Sequence, residues 1–231
     1  MKNKINYFVF PSACFICEQT TQESIICHDC HQSLPFNQRA CTICAMPLTE
    51  SKTLCGHCIK IKKPWTTAFI PFHYKTPIDY LIKEMKFNAN FAYLHLLAHL
   101  FFLAYQAQNK TNLPEVIIPV PLHPSRLSQR GYNQSLELAK IISRLFNIPI
   151  DNHYIQRHKK TLPQSSLNIQ ARSKNLKNSF KINPKNKHRY QQVVILDDVV
   201  TTGTTMTEIV KVIKKQGVLV CDIWALAKVS I

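Results

Sequence analysis

Residues 193–205 read VVILDDVVTTGTT, and this stretch decides the fold. An unbroken aliphatic run is a strand buried on both faces, as in parallel sheets covered by helices. It ends in adjacent carboxylates, Asp197 and Asp198, followed by a threonine loop around Gly203 and the helical segment TTMTEIVKVIKKQ. Ligands of parallel α/β sheets bind at strand C-termini. There the free N–H groups and dipole of the helix start favour a phosphate, joined by the hydroxyls of Thr201, Thr202, Thr204 and Thr205. Gly203 supplies a backbone conformation and a close approach that a side chain would block. Two carboxylates repel a bare phosphate, but they suit the 2′ and 3′ hydroxyls of a ribose, directly or through Mg²⁺. A ribose 5-phosphate accounts for both halves of the motif. Neither GxxxxGK[ST] nor GxGxxG occurs, which excludes P-loop and dinucleotide-binding readings.

Working outward, strand and helix alternate. EVIIPVPL (115–122) and VLVCDIWALAKV (218–229) read as buried strands, and NQSLELAKIISRLF (133–146) as an amphipathic helix. The fold class is therefore α/β, a parallel sheet with helices on both faces. Upstream, TAFIPFHY (67–74) is strand-like, and PIDYLIKEMKF places Ile78, Leu81, Ile82 and Met85 on one helical face. A longer helix follows over about 92–108. After the strand IIPVP, a proline-pinned turn leads Arg126 and Arg130 to a helix start, an arrangement suited to a pyrophosphate. His123, in a loop between prolines, reads as structural.

Eight of the nine cysteines form CxxC pairs: Cys14/Cys17, Cys27/Cys30, Cys41/Cys44 and Cys55/Cys58, separated by nine, ten and ten residues. Each pair presents two thiolates to one metal, so four pairs saturate two structural zinc ions. Sequential pairing is expected, with a cross-brace arrangement left open. Cys221, alone in an apolar strand, reads as a core residue. The organisation expected is a cysteine-rich zinc module over 1–63 and an α/β domain over 64–231, its core motifs within 113–231.

The net charge is +16, which favours polyanionic partners. Residues 157–189 hold ten Lys/Arg and no Asp or Glu, the composition of either a solvated linker or a basic loop over an anionic site. No run of 18 apolar residues supports a membrane span. With clustered cysteines, this points to the cytoplasm, and a peripheral place at the inner membrane face stays open.

ILDDVVTTGTT resembles the phosphoribosyl pyrophosphate (PRPP) fingerprint of type I phosphoribosyltransferases. PVPLHPSRLSQRGYNQS, together with the CxxC pairs, resembles the ComF/GntX-like competence family, and the resemblance runs from FPSACFIC to LAKV. It implies a type I phosphoribosyltransferase-like sheet, PRPP with Mg²⁺, and a pyrophosphate loop of Pro119, Val120, Pro121, Arg126, Arg130 and Gly131. Thr161, Gln164, Arg172 and Asn175 match the family's Thr/Gln stretch with R-x-x-N. Residues 157–175 resemble the loop that closes over PRPP. The resemblance further implies handling of single-stranded DNA in natural transformation, in contact with DNA-uptake machinery. Lys159, Lys160, Arg172, Lys174 and Lys177 are the expected nucleic-acid contacts, and Tyr132, Tyr154 and Tyr190 are candidates for either stacking or packing. An active phosphoribosyltransferase acting on a base or amine is the alternative.

Overall fold

The computed structural model describes residues 12–21, 25–49, 52–108, 112–159, 176–186 and 190–229. The N-terminal part carries a short antiparallel pair, β1 (Ser12–Ala13) and β2 (Thr20–Thr21), and two one-turn helices, α1 (His28–Gln32) and α2 (Gly56–Lys60). Next come β3 (Ala68–Phe69), β4 (Phe72–His73), α3 (Ile78–Phe87) and α4 (Phe91–Gln106). The remainder is β5 (Val116–Pro119), α5 (Pro124–Arg130), α6 (Gln134–Phe146), β6 (Ile155–Arg157), β7 (Phe180–Ile182), β8 (Gln192–Val200), α7 (Thr204–Lys214) and β9 (Val220–Lys228).

The main sheet has the order β3-β9-β8-β5 with every pair parallel, and β4 also pairs with β9. The expected strand TAFIPFHY is split. Ala68 pairs with Ile223 and Phe72 with Ala227, so β3 and β4 keep one register and form a single edge strand interrupted at Pro71. Proline has no N–H for the ladder, and the Pro71 carbonyl instead accepts from Asn37 N–H at 2.7 Å.

Alternation along the strands sends side chains to opposite faces. Ile117, Val194 and Leu196 pack with α3, α4 and α6, while Ile118, Val193 and Ile195 pack with α7. The predicted stripe Ile78, Leu81, Ile82 and Met85 is at most 2% exposed. Ile150 bridges the free side of β5, opposite β8. After β5 the chain therefore moves over one face through α6 to that side, and after β8 it moves over the other face through α7 to β9. The crossovers diverge between β5 and β8, and a crevice opens there at the strands' C-terminal edge. The ends of the basic segment pair as strands, β6 with β7, anchored by buried Ile155 and Phe180.

Candidate functional site

At that edge lies a cleft of about 740 Å³. Gly203 caps α7 with φ 79°, a left-handed conformation that only glycine adopts without strain. Thr201, Gly203, Thr204 and Thr205 line the cleft. The Thr202 hydroxyl pairs with that of Thr204 at 2.7 Å, and Thr202 is not among the lining residues. Lys228, 3% exposed, holds the loop from behind by donating from Nζ to the Thr201 carbonyl at 2.5 Å.

The strand register sets the opposite wall. Pro119 pairs with Leu196, and Val120 N–H donates to the Leu196 carbonyl at 2.9 Å, so the end of β5 lies beside Asp197. His123 caps α5, accepting from Ser125 N–H at Nδ1. Asn133 caps α6 and donates from Nδ2 to the Val120 carbonyl at 3.1 Å, tying that helix start to the strand end. Val120, Arg126 and Arg130 line the cleft. Pro119 is buried within β5, and Gly131 ends α5 with φ 78°. Burial, then the charge of Arg130, lowers the pKa of Arg126. Arg157, 6% exposed, is lowered to about 10 by burial and by Arg126.

The acidic pair meets side chains that pattern reading alone did not assign. Asp197 accepts from Ser135 Oγ at 2.8 Å and from Asp198 N–H at 3.0 Å. Burial and the Asp198 charge nonetheless push its pKa up to about 7. Lys86 Nζ lies 2.8 Å from Asp198 Oδ1, its side chain 19% exposed. Burial pulls the ammonium's pKa down, but the Asp198 charge outweighs it and holds the value above that of ordinary lysine. The signal for Lys86 was its place one turn past Ile82, at the edge of the buried stripe; for Ser135 it was the cap sequence Asn133–Gln134–Ser135. Phe87 also lines the cleft, 71% exposed, with the Arg130 guanidinium 5.5 Å from its ring centre.

The cysteines assemble as sequential pairs. Cys14, Cys17, Cys27 and Cys30 form one cluster and Cys41, Cys44, Cys55 and Cys58 the other, all four sulfurs of each within 4.8 Å of one another. Cys17 and Cys27 Sγ are 3.7 Å apart, and Cys44 and Cys55 Sγ 3.6 Å. A tetrahedron with Zn–S bonds of about 2.3 Å has edges of about 3.8 Å, so both clusters fit zinc. With all four positions supplied by protein, the metal is structural.

Residues 5–59 match the double zinc ribbon domain, and residues 133–229 match the phosphoribosyl transferase domain. Competence protein F of Haemophilus influenzae is 38% identical over 210 residues, covering 88% of this chain and 90% of that protein. This chain belongs to the competence protein F family. The DNA utilization protein YhgH of Escherichia coli O157:H7 is 31% identical over 223 residues, covering 94% of this chain and 97% of its own. Among solved structures, the adenine phosphoribosyltransferase of Leishmania donovani aligns over 63% of this chain and 68% of its own, at 12% identity and a TM-score of 0.38. This member of the competence protein F family is thus a competence-type, phosphoribosyltransferase-like α/β protein with two four-cysteine zinc clusters.

Of the expected nucleic-acid contacts, Lys159 and Lys177 are exposed, whereas Lys160, Arg172 and Lys174 lie outside the described residues, as do Thr161, Gln164 and Asn175. Tyr154 is a packing residue, 1% exposed against Tyr190. Tyr190 donates to Asp151 Oδ2, and Tyr132 donates to the Met85 carbonyl. Cys221 is fully buried. Among the described residues, no helix is long and apolar enough to cross a membrane.

Proposed function

We infer that this protein binds PRPP or a related ribose 5-phosphate in the β5–β8 cleft and handles single-stranded DNA during uptake, in the cytoplasm. One observation carries the ligand reading: the threonine loop at the start of α7 shares a single cleft with the acidic pair and with Arg126 and Arg130. The loop suits the 5-phosphate, the carboxylates suit the ribose hydroxyls, and the arginines suit the pyrophosphate. Asp197 and Asp198 would hold Mg²⁺ together with the ligand. Burial and then the neighbouring Asp198 charge raise the pKa of Asp197, and a bound cation would offset both. When bound, the ion supplies charge neutralisation to the pyrophosphate.

Titration calorimetry with PRPP, ribose 5-phosphate and pyrophosphate, each with and without Mg²⁺, tests the assignment. PRPP should bind tightest, and equal affinity for all three would defeat it. The DNA role rests on the family names, the +16 charge and the acid-free segment 157–189. A second reading, transfer of the ribosyl group to a base or amine, is favoured by the intact acidic pair. Release of pyrophosphate in the presence of an acceptor would establish it.

A further inference from the structure

Trp65 links the threonine loop to the zinc module. Trp65, 7% exposed, donates from its indole Nε1–H to the Ile43 carbonyl at 2.5 Å. Ile43 lies inside the Cys41–Cys44 knuckle. The far edge of the same ring faces Gly203, where a Cβ would come within 3.0 Å of Trp65 Cη2. A rigid indole therefore spans the distance from a knuckle carbonyl to the glycine that caps α7.

Other ties run in parallel. Ala68 N–H donates to the Thr42 carbonyl at 2.8 Å, and Asn37 Nδ2 donates to the Ala45 carbonyl at 2.9 Å, pinning the knuckle to the sheet edge. Ala45 and Ile43 pack in the same apolar cluster as Trp65 and the α7 residues Met206, Ile209 and Val210. The first cysteine cluster faces the other way. Cys14 and Cys30 pack with Ile78, Leu81 and Leu97 of α3 and α4. The two metal clusters thus brace opposite faces of the sheet, and only the second lies behind the phosphate loop.

We propose that Trp65 is a positioning residue for the phosphate loop, and that the second cysteine cluster sets Trp65, so that this cluster is part of the binding site while the first is not. With the metal in place, the knuckle holds the Ile43 carbonyl at a fixed point, and the indole forms the back wall that keeps Thr201–Thr205 turned toward the cleft. Without the metal the knuckle opens, Trp65 loses its anchor, and the loop loses its wall. The ligand part of this inference rests on the cleft reading proposed above, but the loop part does not.

The test uses the full-length, zinc-loaded protein. Hydrogen–deuterium exchange is followed in the peptide covering residues 201–207, with β8 as the monitor of global unfolding. Cys58→Ser and Trp65→Ala should each speed exchange of that peptide by about tenfold or more. Cys30→Ser should loosen α3 and α4 instead. Trp65→Phe keeps a ring near Gly203 but has no N–H for the Ile43 carbonyl, so it should restore only part of the protection. If Cys58→Ser unfolds the chain, Trp65→Ala, which leaves all eight thiolates in place, carries the test. Affinity for ribose 5-phosphate, measured on the same proteins, should fall about tenfold in the variants whose loop loosens. An unchanged loop in Trp65→Ala, or equal loosening in Cys30→Ser, overturns the proposal. If the loop loosens as expected in these variants while the wild-type protein binds neither ribose 5-phosphate nor PRPP, the positioning role stands and the ligand reading fails.

Discussion

Asp197 and Asp198 are adjacent in the chain, yet their surroundings pull them apart. Asp198 faces the Lys86 ammonium at 2.8 Å, whereas among the described residues Asp197 accepts from Ser135 Oγ and a backbone N–H. The consequences for stability have opposite signs. The pKa of Asp197 is raised from 3.8 to about 7, so the folded chain holds a proton that the unfolded chain has released. This group's contribution is fully present below the unfolded value and is lost as pH rises through the folded one. Each pKa unit is worth about 1.4 kcal/mol, and Asp197 retains some access to cleft water. Asp197→Asn should therefore raise unligated stability at pH 8 by about 1–3 kcal/mol and leave it nearly unchanged at pH 4. Asp198→Asn removes the partner of a largely buried ammonium and should cost about 3 kcal/mol. Urea denaturation of both variants at the two pH values checks this, and destabilisation by Asp197→Asn at pH 8 would contradict it. On the proposed ligand reading, both variants should weaken PRPP binding by about tenfold to a hundredfold, because each would leave a ribose hydroxyl unmatched.

The elements divide the cleft among themselves: β8 with α7 offers the threonine loop, β5 with α5 the arginines, and α3 the lysine. The junction of β8 and α7 is the tightest. Gly203→Ala adds a methyl group at φ 79°, which costs about 1–2 kcal/mol, and places it against Trp65. The loop has no slack to absorb both effects. A lower melting temperature and weaker phosphate binding are expected together, and a variant with wild-type affinity for ribose 5-phosphate would mean that Gly203 is not at the phosphate. The helix and strand assignments around this junction were readable from aliphatic runs and cap residues. The β6–β7 pair was not, because its strands have three residues each and are separated by a long polar stretch. Periodicity over so short a length carries no signal, and pairing between distant segments is invisible locally.

At the scale of the whole molecule, charge and metal dominate. Eight thiolates in two clusters predict about two zinc ions per chain, and elemental analysis of reduced, folded protein giving one or none would defeat this. The charge of +16 should make single-stranded DNA binding strongly salt-dependent. Replacing Lys159, Lys160, Lys174 and Lys177 with alanine should weaken it for all sequences alike and reduce the slope by about 0.7 for each phosphate no longer neutralised. Fluorescence anisotropy at several salt concentrations reads that slope, and an unchanged slope would confine the segment's role to the cleft. Everything carried by short-range pattern was determined by the sequence alone: the parallel α/β class, the threonine loop and acidic pair, the arginines after β5, and the cysteine pairs. Strand periodicity, helix caps and CxxC knuckles are local devices that residues within a few positions of one another specify. Tertiary structure alone decided which cysteine pairs share a cluster, that Lys86 reaches Asp198 from a helix over 100 residues upstream, and that Trp65 backs Gly203. Each of these depends on where the packed sheet and helices bring distant residues together, and burial in a common core, not neighbourhood in the chain, makes that choice.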